Sequence, residues 1–491
     1  MRATVVGSGP NGLSAAVTLA RAGYAVRVLE AADTIGGGTR TEELTLPGFR
    51  HDVCSAVHPG AIMSPFFRAI GLDVDWLVPG LSYAHPLPGQ AAVLAWRDIE
   101  RTADGLGRDG AGWLRMLRPL AERIHEVVSF TGDQLLRVPA HPLTAARFGA
   151  RALELAGPLG RAELRTPAAR ALLWGTMGHA NTTLPSLGAA GAGLLLAAQA
   201  HAAGWPLVRG GSQAIADALL ADLVAHGGSV ETGSPVADLG VLDWGAAADG
   251  DVLMLDTSPR LLLTHPDLPA SYRRALTRFR YGAAVAKLDL ALDGPVPWTD
   301  PTLAEAVTVH LGGTAEQIQS SEREVAAGRM PRNPFVIVVQ PSVADPTRAP
   351  GDAHVVWAYA HVPNGWPGDA AEAALARIEQ FAPAVRERIL GAHAVPASER
   401  QAGNANEIGG DISGGAFTFR QALVRPALST RPWRTPVRGV YLCSASTPPG
   451  PAVHGMNGWH AARLAVDDMI GVRLSLGDLA RLSPRPYPAG D

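Results

Sequence analysis

The first forty residues constrain the fold of this chain more than any other segment. A short apolar run, residues 3–6, is followed by the glycine turn Gly7-Ser8-Gly9-Pro10-Asn11-Gly12 and then by an Ala/Leu-rich segment. A second apolar run ends at Glu30, and a second glycine turn, residues 36–41, follows shortly after it. This order predicts a strand, a tight turn, a helix and a second strand, which together form a βαβ unit.

The first glycine turn has the chemistry of a pyrophosphate site. Glycines let the backbone approach phosphate oxygens, and the free N–H groups and dipole of the following helix favour negative charge. Glu30 lies roughly 20 residues beyond the last glycine, where a carboxylate accepts hydrogen bonds from a ribose. A GxGxxG motif alone is weak evidence, but here strand, helix, acid and second glycine turn occur in register. The segment therefore predicts a dinucleotide-binding domain.

Composition excludes several other classes. The 491 residues carry a formal net charge of −3, so there is no electrostatic basis for nucleic-acid binding. The two cysteines, Cys54 and Cys443, lie far apart and have neither metal-site nor redox-dithiol spacing, so we expect no metal and a reducing, cytoplasmic location. The glycine turn interrupts the N-terminal apolar run, which is therefore not a signal peptide.

The rest of the chain alternates between helical and strand-like patterns. Residues 100–200 show helical spacing, and their most apolar stretch, residues 187–200, is too short for a bilayer and predicts a core helix or a tunnel wall. Residues 280–425 contain β-like segments that predict a mixed sheet. A strand, a turn and a helix follow at residues 439–468.

The motifs together resemble a known family. The signature Gly36-Gly37-Gly38-Thr39-Arg40-Thr41-Glu42-Glu43-Leu44 precedes Pro47-Gly48-Phe49, Asp52 and Ser55-Ala56-Val57-His58-Pro59. Residues 7–41 resemble the FAD-binding signature of glutathione-reductase-like flavoproteins. The longer pattern is similar to the phytoene dehydrogenase-like oxidoreductases, and within them to the group called pyridine nucleotide-disulfide oxidoreductase domain-containing protein 2. Further matching stretches are residues 206–212, 281–298, 345–350 and 441–455, so the resemblance covers nearly the whole chain.

The resemblance implies an α/β fold with a discontinuous, Rossmann-like FAD-binding domain of the glutathione-reductase/amine-oxidase type. We expect that domain at residues 1–75, 205–265 and 430–475. The inserted substrate domain would comprise a helical insertion, residues 76–204, and a mixed β-sheet, residues 266–429. Residues 476–491 would form a tail.

The same resemblance assigns the FAD contacts. The pyrophosphate would lie against the first glycine turn, the ribose against the end of the second strand, and the ring near the C-terminal turn. The implied residues are Gly7, Ser8, Gly9, Pro10, Asn11 and Gly12 for the pyrophosphate, Glu30 and Ala31 for the adenosine ribose, Gly37, Gly38, Thr39 and Arg40 for the diphosphate and ring side, Val236 for the adenine, and Ser446, Val453, His454, Gly455 and Met456 near the isoalloxazine. The chain departs from the family at Gly450-Pro451-Ala452, where relatives usually have a glycine run.

Two side chains are candidates for catalysis. Lys287 is the only lysine among 42 Lys and Arg residues. Its position is similar to that of the strand lysine in amine-oxidase relatives, which holds a water at flavin N5; the alternative is a surface or salt-bridged lysine on a strand. His454 could donate a proton near the ring, and the alternative is that only the backbone of its turn contributes.

Other histidines and tryptophans give weaker signals. They show no ligand spacing and are expected to be structural, exposed or part of the core, although the tryptophans could also line an apolar cavity. These residues are His51, His58, His179, His310, Trp205, Trp357 and Trp459.

Three functional classes remain open on the sequence. The leading one is an FAD-dependent oxidoreductase that oxidises or desaturates a small apolar or amphiphilic organic substrate. Oxygen, a quinone or another acceptor would take the electrons, because a second GxGxxG motif and paired cysteines are both absent. A carotenoid desaturase or isomerase would need membrane access, so peripheral membrane association stays open, although no strong basic amphipathic helix is visible. A flavin-free binder like the GDP-dissociation inhibitors is the third class, and the intact Glu30 and glycine turns argue against it.

Overall fold

The structure, a computed structural model, describes residues 1–157 and 160–482. The predicted tail residues 483–491 lie outside the described residues, whereas residues 476–481 form a packed helix with Leu479 buried. The strands of the described chain are β1 (Arg2–Val6), β2 (Ala25–Leu29), β3 (Thr41–Glu42), β4 (His51–Asp52), β5 (Trp76–Leu77), β6 (Leu81–His85), β7 (Val93–Trp96), β8 (Leu207–Val208), β9 (Ser229–Glu231), β10 (Val252–Leu255), β11 (Ala284–Leu292), β12 (Thr308–Leu311), β13 (Val336–Val339), β14 (His354–Val362), β15 (Ile389–Val395) and β16 (Val440–Leu442).

The α-helices of the same residues vary from single turns to four-turn elements. They are α1 (Pro10–Arg21), α2 (Pro59–Ile62), α3 (Pro65–Ile70), α4 (Ile99–Gly105), α5 (Gly110–Ala121), α6 (Ile124–Thr131), α7 (Pro142–Ala156), α8 (Gly160–Glu163), α9 (Pro167–Gly178), α10 (Leu187–Ala202), α11 (Gln213–Ala225), α12 (Pro259–Leu262), α13 (Ala270–Thr277), α14 (Ala315–Ala326), α15 (Ala371–Glu379), α16 (Arg400–Gly403), α17 (Phe419–Val424), α18 (Met456–Ile470) and α19 (Leu476–Arg481).

The first sheet is parallel and is assembled from distant parts of the chain. Within the described residues its strand order is β16-β10-β1-β2-β9. Helices α1, α11 and α18 cover one face, and their apolar side chains form a core with those of β1, β2 and β10. Gly458 permits the close approach of α18 to α1, because a Cβ there would lie 2.0 Å from the carbonyl oxygen of Asn11. This sheet is the Rossmann-like domain that the glycine turn predicts.

The second sheet is the main sheet of the other domain. Its order in the described chain is β15-β11-β14-β13-β12-β6-β7, and its pairs are antiparallel except for β12 with β6. One face packs against α15 and the other against helices that include α9 and α10. The mixed sheet is as expected, but its strands β6 and β7 fall inside the segment predicted to be helical. Every residue of β6 is buried, so the alternation that identifies a half-exposed strand is missing.

A buried ion cluster joins three motifs that are distant in the sequence. Arg348 donates from Nη2 to Asp52 Oδ2 at 2.9 Å and from Nε to Asp345 Oδ2 at 3.0 Å. Asp52 also accepts the Ser212 N–H at 2.8 Å, and Asp345 accepts the Gly210 N–H at 2.7 Å. Burial alone would raise the pKa of Asp52, but the Arg348 guanidinium and the hydrogen bonds hold it below its usual value. The cluster therefore ties the β3–β4 hairpin and the 210 turn to the substrate domain.

The apolar stretch at residues 187–200 lies within α10, which packs in the core of the substrate domain. Among the described residues, no helix has both the length and the apolarity that crossing a membrane requires.

Candidate functional site

A cavity of about 1030 Å³ lies between the two sheets and is lined by both domains. Residues at the carboxyl ends of β1, β2, β10 and β16 line one half, which is the edge where open parallel sheets bind ligands. Side chains of α10 and of the second sheet line the other half. The cavity is therefore continuous from a polar, nucleotide-sized half to a mainly apolar half.

The polar half contains the N-terminus of α1. Gly9 is the N-cap residue and offers no side-chain cap, and the first turn holds no acidic residue. The N–H groups of Gly9 and Asn11 have no partner among the described residues. Gly7 has φ +97°, and Gly37, at φ +53°, packs so closely on the first turn that its Cβ would lie 3.1 Å from Gly9 Cα. These features form a cradle of backbone donors open to an anion.

Glu30 stands beside this cradle at the end of β2. Its Oε2 accepts the Ser8 N–H at 2.8 Å and the Ser8 hydroxyl at 2.5 Å, and its Oε1 accepts the Ala32 N–H at 2.9 Å. Each carboxylate oxygen can accept more than one hydrogen bond, so the fixed carboxylate can also accept those of a ribose diol. The acid thus has the position and the fixed orientation that the sequence predicts.

Asp256 is a residue of the polar half that the sequence reasoning missed. It follows β10, and its Oδ2 accepts the Gly12 N–H at 2.8 Å. Burial raises the pKa of this carboxyl to about 7, a shift that the Gly12 hydrogen bond opposes and the charge of Glu30 increases. An acid that keeps its proton near neutral pH is compatible with a diphosphate in the same cradle. The sequence did contain a signal for this residue, namely an acidic residue directly after the buried strand β10.

The structure places most of the predicted FAD contacts on the cavity wall. Those that line it are Gly7, Ser8, Gly9, Pro10, Asn11, Glu30, Ala31, Gly37, Gly38, Arg40, Val236, Ser446, Val453, His454 and Met456. The remaining three shape turns behind the wall. A Cβ on Gly12 would meet the Gly7 carbonyl oxygen at 2.1 Å, Thr39 donates to the Gly36 carbonyl at 2.8 Å, and Gly455 begins α18 with φ +66°.

The C-terminal turn holds its predicted residues through local hydrogen bonds. Ser446 donates to the Gly414 carbonyl at 2.7 Å, and His454 Nδ1 accepts the Met456 N–H at 3.2 Å. Burial, together with His460, lowers the pKa of His454 to about 4, so the imidazole is neutral at pH 7. Ala452, which occupies part of the place where the resemblance led us to expect a glycine run, adopts φ +146°, a backbone conformation that costs a non-glycine residue of the order of 1–3 kcal/mol.

Lys287 lies on β11, as predicted, but it is buried and is not part of the cavity wall. Its Nζ is 2.5 Å from Asp289 Oδ1 and 5.9 Å from the ring centroid of Trp357. Burial lowers the pKa of Lys287, and the Asp289 carboxylate opposes that shift. The geometry is that of the salt-bridged alternative, and a catalytic role for Lys287 stays a prediction.

The apolar half of the cavity is formed by residues that lie far apart in the sequence. Trp205 and Trp357 line this half, whereas Trp459 packs in the core of the first domain. His179 also lines it, and its Nε2 lies 2.8 Å from Nε2 of His310. Positions 131 residues apart carry no local signal of such a contact, which depends on the packing of α9 against β12.

The described residues fit a dinucleotide cofactor along the polar half of the cavity. The uncapped α1 turn provides donors for a diphosphate, Glu30 provides acceptors for a ribose, and the α18 turn lies at the far end. No group of His, Cys, Asp and Glu residues in the described chain could hold a metal ion, and both cysteines are free.

Fold and cavity together define a two-domain protein with a Rossmann-like domain of the dinucleotide-binding type. The NAD(P)-binding Rossmann-like domain family matches residues 5–69. The chain is 25% identical to pyridine nucleotide-disulfide oxidoreductase domain-containing protein 2 of Rattus norvegicus, over 95% of this chain and 93% of the relative. This similarity confirms the resemblance predicted from the sequence.

Solved structures show the same fold at lower identity. Putrescine oxidase bound to putrescine aligns with a TM-score of 0.57 and 17% identity, over 95% of this chain and 98% of the other. Cyclohexylamine oxidase from Brevibacterium oxydans aligns with a TM-score of 0.52 and 16% identity, over 98% of both chains. The predicted fold class, an α/β fold with a discontinuous Rossmann-like domain and an inserted mixed-sheet and helical domain, is confirmed.

Proposed function

We propose that this chain is an FAD-dependent oxidoreductase that oxidises or desaturates a small apolar or amphiphilic organic molecule. The observation that carries the proposal is the continuous cavity, which connects the uncapped α1 turn and Glu30 to an apolar half between the domains. The similarity to oxidoreductase relatives over nearly the whole chain supports it. The electrons pass to oxygen, a quinone or another acceptor, since the described cysteines are unpaired and no second nucleotide motif follows a strand.

Each half of the cavity has its own task in this proposal. When bound, FAD supplies the two-electron chemistry. The α1 turn and Gly37 bind its diphosphate, Glu30 binds its ribose, and the α18 turn orients its ring end. The apolar half excludes water and positions the substrate bond that is oxidised.

Reconstitution tests the proposal directly. The purified protein, with FAD added, is expected to retain flavin absorbance through gel filtration, and oxidisable substrates should bleach it under anaerobic conditions. A protein that stays colourless would instead support a flavin-free binder. A flavoprotein bleached only by polyenes in the presence of vesicles would support the carotenoid alternative and peripheral membrane association.

The affinity for FAD is expected to decrease as the pH rises through about 7. Below that pH Asp256 is neutral, and above it the carboxylate repels the diphosphate in the shared cradle. We expect a decrease of about tenfold between pH 6 and 8. The variant D256N keeps the acceptor for the Gly12 N–H and removes the charge, so its affinity should not depend on pH in this range. Fluorescence titrations measure the FAD affinity of both proteins across this pH range. The same pH dependence in D256N and in the unaltered protein would contradict this role of Asp256.

Lys287→Met is expected to slow reoxidation of the reduced flavin by oxygen about tenfold or more, with little loss of FAD retention. Stopped-flow absorbance measures the reoxidation rate. Because this change removes the lysine partner of the buried Asp289, the double variant K287M/D289N is the control for general destabilisation. Unchanged reoxidation in both variants would assign Lys287 a structural role only.

A further inference from the structure

The inner end of the apolar half carries a small group of polar side chains. On one face of the second sheet, Thr308 and His310 are neighbours two residues apart on β12, and Thr308 lies in register with Val339 on β13. His179, from the turn that ends α9, contacts His310 through the Nε2–Nε2 hydrogen bond. The exposed fraction of Thr308 is 1%, and its hydroxyl has no hydrogen-bond partner among the described residues, although the residue lines the cavity.

Packing fixes the direction of the His179 ring. Trp205 meets it edge-on with ring centroids 5.3 Å apart, and His310 meets it at 4.9 Å. The turn after α9 is held by Asn181, whose Nδ2 donates to the Ala283 carbonyl at 2.9 Å. Gly175 on α9 lets the helix approach the sheet, because a Cβ there would lie 2.7 Å from His310 Nδ1. The ring therefore cannot turn away from the cavity without repacking α9.

Of the four ring nitrogens of His179 and His310, one is available to hydrogen-bond a ligand. A neutral imidazole has one donor and one acceptor nitrogen, and the Nε2–Nε2 bond uses one nitrogen of each ring. His310 Nδ1 is buried and unpartnered against Gly175, whereas His179 Nδ1 belongs to a residue on the cavity wall and makes no hydrogen bond within the described chain. His179 Nδ1 and the Thr308 hydroxyl are thus two polar atoms available at this end, and the unpartnered indole N–H of Trp357 lies on the same sheet face and also lines the cavity.

The charges around the pair are compensated. Burial lowers the pKa of His179 to about 3 and that of His310 well below its usual value, so both rings are neutral at pH 7. Charged residues on and beside this sheet face are paired: Lys287 with Asp289 on β11, and Glu322 of α14 with His361 of β14. A charged ligand group would lose its hydration without gaining a counter-charge here.

We propose that His179 and Thr308 form a head-group site that binds an uncharged hydroxyl or carbonyl oxygen at one end of an otherwise apolar substrate. This inference deepens the proposed function by naming the class of substrate. His310 is a positioning residue, because it holds the ring of His179 and is itself shielded from the cavity. The remaining apolar wall, formed largely by α10 and the aromatic side chains of Trp205 and Trp357, accommodates the hydrocarbon body.

Binding of a matched ten-carbon series tests the site. The probes are decane, 1-decanol, decylamine and decanoate, and the readout is the fluorescence of the protein, since Trp205 and Trp357 line the cavity. We expect 1-decanol to bind about tenfold more tightly than decane and more tightly than either ion. In H179F the ratio between decanol and decane should fall to about twofold, with decane affinity retained. T308V should lower the ratio as well, and the exposed His125→Phe should leave it unchanged.

Equal affinities for decane and 1-decanol in the unaltered protein would overturn the proposal, as would tighter binding of an ion. It would also be overturned if H179F and T308V both kept the original ratio. FAD uptake is measured on the same samples by absorbance. A protein that takes up no FAD would reject the proposed function, while its preference among the four probes would still decide the head-group site.

Discussion

Replacing Arg348 with methionine is expected to lower the free energy of unfolding by about 3–5 kcal/mol, the usual cost of removing one partner of a buried ion pair. Arg348, Asp52 and Asp345 are all fully buried, so the variant leaves two carboxylates without their counter-charge. The loss also removes the link that Arg348 makes between Asp52 of the β3–β4 hairpin and Asp345 of the substrate domain. Urea unfolding followed by circular dichroism measures the change.

Arg386→Met is the matched control for this experiment. Arg386 pairs with Glu372 and Glu379 on the surface, where ion pairs contribute little to stability. We expect its unfolding midpoint to stay close to that of the unaltered protein. Equal stability of the two variants would show that the buried cluster is not what connects the domains.

Replacing Gly9 with valine is expected to weaken FAD binding at least 100-fold, which corresponds to about 2.7 kcal/mol. Gly9 has extended φ and ψ, so valine can adopt its backbone conformation. Its Cβ, however, would lie 2.7 Å from Asp256 Oδ2, and the side chain would cover the N-terminus of α1. The diphosphate would then lose several charge-assisted hydrogen bonds, each of which contributes about 1.5–3 kcal/mol.

Gly149→Val provides the comparison, because a Cβ at Gly149 meets no atom within 4 Å and the residue lies on the apolar half. Both variants should fold with similar circular dichroism spectra, and only G9V should elute without flavin. Retention of FAD by G9V would place the diphosphate elsewhere and remove the main support for the proposed function.

Local signals in the sequence predicted the βαβ unit that lines the polar half of the cavity. The glycine turn, α1 and Glu30 lie within one βαβ unit, so their spacing alone determines their geometry. Strands β6 and β7 were not predicted: β6 is buried at every residue, and β7 is a short run of apolar residues only, so neither shows an apolar–polar alternation in the sequence. Contacts such as His179 with His310 depend on which helix packs on which strand, and no local pattern encodes that choice.

The buried ion cluster is a second example of a contact between distant segments that the sequence alone does not predict. Asp52, residues 206–212 and residues 345–350 were each recognised as matching stretches, but nothing in their sequence showed that they meet. Only the fold reveals that Arg348 connects them, and that their side chains stabilise the structure from behind the cavity.

The discontinuous first sheet has a consequence for the order in which the protein can fold during synthesis. The β1–α1–β2 unit is synthesised well before β16, which begins at Val440, and α18, which begins at Met456. Yet β10 pairs with β16, and α1 packs on α18 as well as on α11. Until β16 and α18 are synthesised, the nascent chain therefore leaves part of the apolar face of α1 uncovered, and such transiently exposed apolar surface favours aggregation.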